Sequence, residues 1–352
     1  MSAAMIAGLS ACGNSQESSG GDAATSGSDA TESVSTAASD ETTDTNNNVD
    51  GEVTKITFAL DWAPNTNHTG LYVADALGYF ADRGIEVEFV QATTGYGSEL
   101  VGAGRAEFGI DFQASLAYTF SSDDPIPVTA VAAVLQHNTS GILTRTDSNV
   151  SSPKDLAGLH YATWDDPMEQ AVMKYCIEAD GGSFDDVICD PVYVEDAVAG
   201  LNSGIDAIWI YYAWDGIRCE LSDDVDTNFF YFTDYCSDLD EYTPVIIANN
   251  TFMEENPETA ADFMAAVAQG YEYAISNPDE AAQILCDAVP ELDYELVLNS
   301  QRWISEKYRD DAESWGLIES DRWNGAYTWM YENGVLENPV PEDYGFSMEL
   351  LK

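Results

Sequence analysis

The sequence predicts an α/β protein built as two lobes, each a mostly parallel sheet flanked by helices, with two crossings of the chain between them. Three observations carry that reading. From Lys55 onward, apolar patterns of period two and of period 3.6 alternate, as βαβ units require. A unit of similar construction occurs twice: GRAEFGI at 104–110 and GIDAIWI at 204–210 each place a small residue after a helical pattern, then an acid, then an apolar strand. Two crossings near 138–145 and 240–248 are expected to be the hinge strands of a two-lobed protein. At 352 residues the length suits about two domains.

Taken in order, the chain begins with MSAAMIAGLSAC, expected to be a lipoprotein signal (1–12). Its end, Leu9-Ser10-Ala11-Cys12, resembles a lipobox, so Cys12 is the expected site of lipid attachment. The segment departs from an ordinary secretory signal in having no Lys or Arg before Cys12. Residues 13–52 are almost wholly small, polar or acidic, with Val34 and Val49 as the larger apolar residues and no basic residue. Such a stretch buries too little apolar area to offset its conformational entropy, and reads as a disordered tether.

The folded part starts where Ile56, Phe58 and Leu60 alternate with polar neighbours. A helix near 68–83, a strand at 86–91, a helix near 97–104, a strand at 107–112, a further helix and the apolar run 128–135 follow. Lobe 1 is expected to comprise 53–140 and 246–352, and lobe 2 to comprise 141–245. Within lobe 2, KDLAG at 154–158 precedes a strand at 160–164 and a helix at 166–179; a strand at 244–248 leads back. In the C-terminal third, Asn256-Pro257-Glu258 and Asn277-Pro278-Asp279 read as helix starts, with Asn as N-cap and Pro at the first helical position. Phe263, Met264, Val267, Tyr271 and Ala274 then form an apolar stripe for packing onto a lobe. After residue 12 no apolar run approaches the ~20 residues of a membrane span.

The charge excludes several partners. With 63 acidic and 12 basic residues the formal charge is −51, which disfavours nucleic acid and anionic lipid surfaces. No catalytic constellation stands out either. His68, His137 and His160 have no HExxH spacing, and no glycine-rich phosphate loop carries a following Lys. Beyond Cys12, Cys176, Cys189, Cys219, Cys236 and Cys286 form no CxxC pair, so neither a metal site nor a cofactor is expected. Buried single thiols are the default, with Cys176–Cys189 or Cys219–Cys236 as pairings open to an oxidising compartment.

What the sequence does offer is aromatic residues beside carboxylates and amides at strand ends. In LDWAPNTNHTGLYVA (60–74), Trp62, Asn65 and His68 follow the first strand, which is where open α/β sheets bind ligands. Plain turn chemistry at Asn65-Thr66-Asn67 is the competing explanation. Tyr96 lies between glycines in TTGYG; Asp111 and Gln113 end a later strand; Trp164 and Glu169 follow the first strand of lobe 2; Tyr212 and Trp214 follow the last such unit. Aromatic faces with carboxylates and almost no Lys or Arg suit a flat, amine-bearing ring. Stacking would add about 0.5–1.5 kcal/mol per aromatic pair, and an amine donating to a carboxylate about 1.5–3 kcal/mol. A sulfonate, nitrate or phosphate would call for Arg, Lys or clustered backbone amides. Trp62, Trp164 and Tyr96 are therefore expected to be the stacking walls, Asn65, His68 and Gln113 to hydrogen-bond the ring or its substituent, and Asp111 and Glu169 to accept from the amine.

Several stretches together resemble the extracytoplasmic binding proteins of ABC importers for thiamine pyrimidine precursors. They are LDWAPNTNHTGLYVA, GYFADRGIEVE at 78–88, PMEQAVMKY at 167–175, AWDG at 213–216, YTPVIIANN at 242–250, NPETAADFMAA at 256–266 and WMYENGV at 329–335. The wider family also holds sulfonate-type binding proteins and fungal pyrimidine synthases. The resemblance implies a type II periplasmic-binding-protein fold that closes on its ligand by hinge motion. It implies a lipid-anchored, extracytoplasmic monomer that hands hydroxymethylpyrimidine or its formylaminomethyl relative to membrane permease subunits. A riboflavin-like or sulfonate solute is the alternative, and a synthase is a lesser one. In the synthase branch a lysine holding pyridoxal phosphate and a histidine one turn later stand where this chain has Asp111 and Ser115, and a cysteine-rich run stands where it has only Cys236. An acid forms no Schiff base, so no enzyme activity is expected. Related importers carry a Glu before the Gly-Trp-Asp-Gly stretch, where this chain has Tyr212 before Ala213-Trp214-Asp215-Gly216; if that Glu pairs with the amine, then Asp111, Glu169 or Asp215 must do so here, or the ligand differs.

Overall fold

A computed structural model describes residues 53–91 and 97–352. The expected signal, the tether, Cys12 and Tyr96 lie outside them.

In chain order the elements are β1 (Thr54–Leu60), α1 (Thr69–Ala76), β2 (Ile85–Gln91), α2 (Gly97–Gly102), β3 (Phe108–Asp111), α3 (Gln113–Phe120), β4 (Val128–Ala133), β5 (Ser140–Arg145), β6 (His160–Thr163), α4 (Pro167–Ala179), β7 (Ile188–Pro191), α5 (Ala197–Asn202), β8 (Ala207–Tyr211), α6 (Ile217–Glu220), β9 (Thr227–Tyr231), β10 (Val245–Asn249), α7 (Asn250–Glu255), α8 (Pro257–Ser276), α9 (Pro278–Ala288), α10 (Tyr294–Ile304) and α11 (Ser320–Glu332). They build two five-stranded sheets, ordered β2-β1-β3-β10-β4 and β7-β6-β8-β5-β9. In each, four strands run in one direction and the fourth in order, β10 or β5, is antiparallel to both of its neighbours. The mixed α/β architecture in two halves is the one the alternating patterns predict. The recurring unit falls on matching places: β3 and β8 are third in their sheets, and Gly104 and Gly204 before them have φ of 65° and 104°, which end the preceding helices in a conformation that favours glycine.

The crossings differ from the expectation. The segments at 138–145 and 240–248 largely become β5 and β10, inner strands of the opposite sheets. The chain instead passes between sheets at 134–139 and 232–244. These segments are tied side by side by Val134 N–H donating to Pro244 O (3.0 Å), Asn138 N–H to Asp240 Oδ1 (3.0 Å) and Asn138 Nδ2 to Leu239 O (3.0 Å). A short segment with an apolar centre, such as Ile142-Leu143 or Val245-Ile246-Ile247, serves as well for a buried strand as for a linker, and strand pairing satisfies its backbone groups.

Two helix expectations are also revised. The stretch 68–83 does not form one helix: α1 stops at Ala76, Gly78 takes a left-handed φ of 78°, and a single tight turn follows at 81–83. Asn256 and Asn277 precede Pro257 and Pro278 as expected, but their side chains do not cap the helices that follow. Each Nδ2 donates backwards, to Phe252 O and Tyr273 O, so the asparagine closes one helix while the proline opens the next. The apolar stripe of α8 is fully buried. It packs on α1 at a glycine contact, where a Cβ on Gly270 would lie 1.9 Å from Gly70 O. All five described cysteines are free thiols, so neither possible pairing forms.

Candidate functional site

The ends of β1, β3, β6, β7 and β8 and both crossing segments meet around a cavity of about 300 Å³. These are the carboxyl ends of the parallel strands, where side chains from two sheets converge. Trp62 from the turn after β1 and Trp164 from the turn after β6 stand at its mouth, 43% and 44% exposed, beside Tyr193 from the loop after β7. Trp209 lies deeper, packed on Trp164 with ring centroids 5.4 Å apart and on Phe232 at 4.2 Å. Trp214, Phe112 and Tyr211 also line the cavity.

Three carboxylates face this space, those of Asp61, Glu195 and Asp215, and among the described lining residues there is no Lys, Arg or His. Residues 92–96 (ATTGY) include no basic residue either. Burial pushes the Asp215 carboxyl up to about 6, with nearby Arg218 opposing the shift and Asp196 adding to it. Four lining residues carry a buried polar atom with no protein partner: Asn67 Oδ1, Thr139 Oγ1, Thr243 Oγ1 and Trp209 Nε1. An unsatisfied buried polar atom costs about 1–3 kcal/mol, so these are groups a polar ligand could satisfy.

The turn after β1 is built by its own sequence. Asn65 accepts from Asn67 N–H at 2.8 Å through its side chain and donates from Nδ2 to Ala63 O, while its N–H donates to His68 Nδ1 at 3.1 Å. His68 Nδ1 is thereby an acceptor, so the ring hydrogen sits on Nε2 and is donated to Asp61 Oδ1 at 2.7 Å. Tyr271 of α8 holds the turn through Asn67 O (2.7 Å), and Tyr308 holds it through Thr66 O.

Of the residues expected from sequence, Trp62, Asn65, Trp164 and Trp214 line the cavity. The others do different work. His68 is fully buried and orients Asp61. Asp111 is fully buried under α2; its oxygens accept from Ser98 N–H (2.9 Å) and Phe112 N–H (2.7 Å), and burial raises its carboxyl above the ordinary range. Gln113 joins α11 to the second crossing, donating to Trp323 O and accepting from Tyr242 N–H. Glu169 accepts from Tyr161 Oη, Thr163 Oγ1 and Trp164 N–H, which spends its carboxylate on fixing the turn that carries Trp164. Tyr212 turns away, donating to Glu220 and packing on Trp303. Asp61, Tyr193, Glu195, Trp209, Thr139 and Thr243 were not singled out from sequence. Asp61 could have been, since it directly follows β1; the two threonines sit in crossings whose position depends on strand pairing.

Away from the cavity, ligand atoms of His137, Asp310 and Asp311 come within 4.8 Å of one another. His137 already uses both ring nitrogens, on Asp240 (2.7 Å) and Asp311 (3.2 Å), so ion pairing accounts for this cluster.

A family profile described as NMT1/THI5 like matches residues 65–281, most of both sheets and both crossings. The chain belongs to the NMT1/THI5-like family. Within reach of it in sequence is the formylaminopyrimidine-binding protein of Halalkalibacterium halodurans, 29% identical over 297 residues that cover 82% of this chain and 88% of that one. The 4-amino-5-hydroxymethyl-2-methylpyrimidine phosphate synthase THI13 of Saccharomyces cerevisiae is more distant, at 22% over 313 residues, covering 82% and 85%. In three dimensions the alkanesulfonate-binding protein SsuA from Xanthomonas axonopodis pv. citri superposes with a TM-score of 0.62 at 13% identity, covering 84% of this chain and 99% of that one. This NMT1/THI5-like chain thus has the type II periplasmic-binding-protein fold.

Proposed function

We propose that this protein is the solute-binding component of an ABC importer that captures an aminopyrimidine thiamine precursor, formylaminopyrimidine or its hydroxymethyl relative, and closes on it by motion at the two crossings. The observation that carries the reading is a small cavity walled by tryptophans and carboxylates, with no cation among its described lining residues. Trp62 and Trp164 come from opposite sheets and would sandwich the ring, with Tyr193, Trp214 and, as the sequence suggests, Tyr96 around it. Asp215 would accept from the exocyclic amine. Asn67, Thr139, Thr243 and Trp209 would hydrogen-bond the remaining nitrogens and the oxygen-bearing arm, while Asn65, His68, Asp111, Gln113 and Glu169 hold the walls in place.

Similarity supports the same direction, since a formylaminopyrimidine-binding protein is more similar in sequence than the synthases at 22–24%. A pyridoxal phosphate Schiff base does not fit: no described lining residue is a lysine, and Asp111 at the end of β3 is sealed by backbone amides. Attachment through an acylated Cys12, delivery to permease subunits and a monomeric state complete the proposal. No helix among the described residues is long and apolar enough to cross a membrane.

Four of the eight tryptophans line the cavity, so intrinsic fluorescence reports on it directly. Formylaminopyrimidine is expected to give a saturable change that Trp164→Ala weakens by roughly tenfold or more, as for loss of an aromatic stacking wall. No saturable change with either aminopyrimidine would sink the proposal.

A further inference from the structure

Helix α10 touches both sides of the cavity wall without lining it. Ser300 on this helix is fully buried, and its single hydroxyl hydrogen is donated to the carbonyl of Ala213. The 2.7 Å contact between Ser300 Oγ and Thr66 Oγ1 must then have Thr66 as donor. The result is a directed relay, Thr66 O–H to Ser300 O–H to Ala213 O=C. Thr66 lies between Asn65 and Asn67 in the turn after β1, in one sheet; Ala213 lies beside Trp214 and Asp215 in the turn after β8, in the other. Trp303, one helical turn along the same face, packs on Tyr212 with centroids 5.2 Å apart. The relay therefore joins the two halves of the site at a point outside both crossings.

We propose that Thr66–Ser300–Ala213 is a latch made when the halves close on ligand, so that Ser300 is a positioning residue that sets affinity without touching the ligand. The inference rests on the binding and closure reading above. Its physical basis is burial. With the relay made, Thr66, Ser300 and Ala213 are 1%, 0% and 5% exposed, so each polar group needs another as partner. In an open form water satisfies the same groups, and the relay contributes nothing. Removing it must shift the open–closed balance and thereby the apparent affinity.

The test compares wild type, Ser300→Ala, Thr66→Val and the double variant, with and without formylaminopyrimidine, by calorimetry, small-angle X-ray scattering and thermal unfolding. Wild type is expected to contract on binding. Each single variant should bind about tenfold more weakly. The double variant should lose no more than either single one, because one relay is broken. The ligand-free thermal midpoint should stay at the wild-type value. Wild-type affinity in the variants, or an equal loss of thermal midpoint with and without ligand, would overturn the latch and leave the functional reading standing. Failure of the wild type to bind the ligand would remove the functional reading, and the latch with it. Thr66→Val acts from the opposite end of the relay and keeps the proposal testable if Ser300→Ala folds poorly.

Discussion

Asp215 is one of the three carboxylates that face the cavity. Its carboxyl is raised to about 6, so between the ordinary carboxylate range and that value the native state holds a proton the unfolded chain has released. Stability is therefore lost as pH rises through that window, and Asp215→Asn should cost no stability at pH 7.5. Binding should respond the other way. The variant is expected to bind formylaminopyrimidine roughly ten- to a hundredfold more weakly at pH 7.5, the loss of a charge-assisted bond. The wild-type advantage should shrink as pH falls below about 6, where the carboxylate is protonated. Calorimetry at pH 5 and 7.5 checks this, and an advantage equal at both would exclude Asp215 as the amine acceptor. At this scale the sequence placed Trp62, Trp164 and Trp214 beside strand ends, and they line the cavity. It could not separate Asp215 from Asp111 and Glu169. All three are acids at strand ends, and what differs is whether backbone amides and hydroxyls already occupy their lone pairs.

At the level of elements, the wall made by the turn after β1 depends on how α8 meets α1. Gly270 sits where a Cβ would lie 1.9 Å from Gly70 O, and the next residue, Tyr271, hydrogen-bonds Asn67 O. Gly270→Ala must push the helices apart. The expected cost is about 1–3 kcal/mol in urea unfolding, together with weakened ligand binding. Unchanged stability would mean the close approach is relieved without disturbing the turn. The stripe Phe263 to Ala274 made α8 legible from sequence, because a buried face leaves a periodic trace. The glycine contact leaves none, as a glycine in a helix has no pattern of its own. The Asn-Pro junctions show a similar limit: the boundary was readable, but the direction of the asparagine hydrogen bond was decided by the helix before it.

For the whole molecule, the repeated unit before β3 and β8 already pointed to two halves of like construction, and the sheet orders match strand for strand. The crossings were misplaced by several residues because a segment's own residues do not say which sheet it joins. The formal charge of −51 and the absence of a cation among the described lining residues act together. Both repel an anionic solute such as a sulfonate, although proteins of this fold include an alkanesulfonate binder. Neutral or cationic amine-bearing rings meet no such barrier. The most direct test is calorimetric titration of the purified protein with formylaminopyrimidine beside an aliphatic sulfonate. Saturable, one-to-one binding of the pyrimidine and no heat from the sulfonate is the predicted result; binding of the sulfonate with none of the pyrimidine would contradict the account.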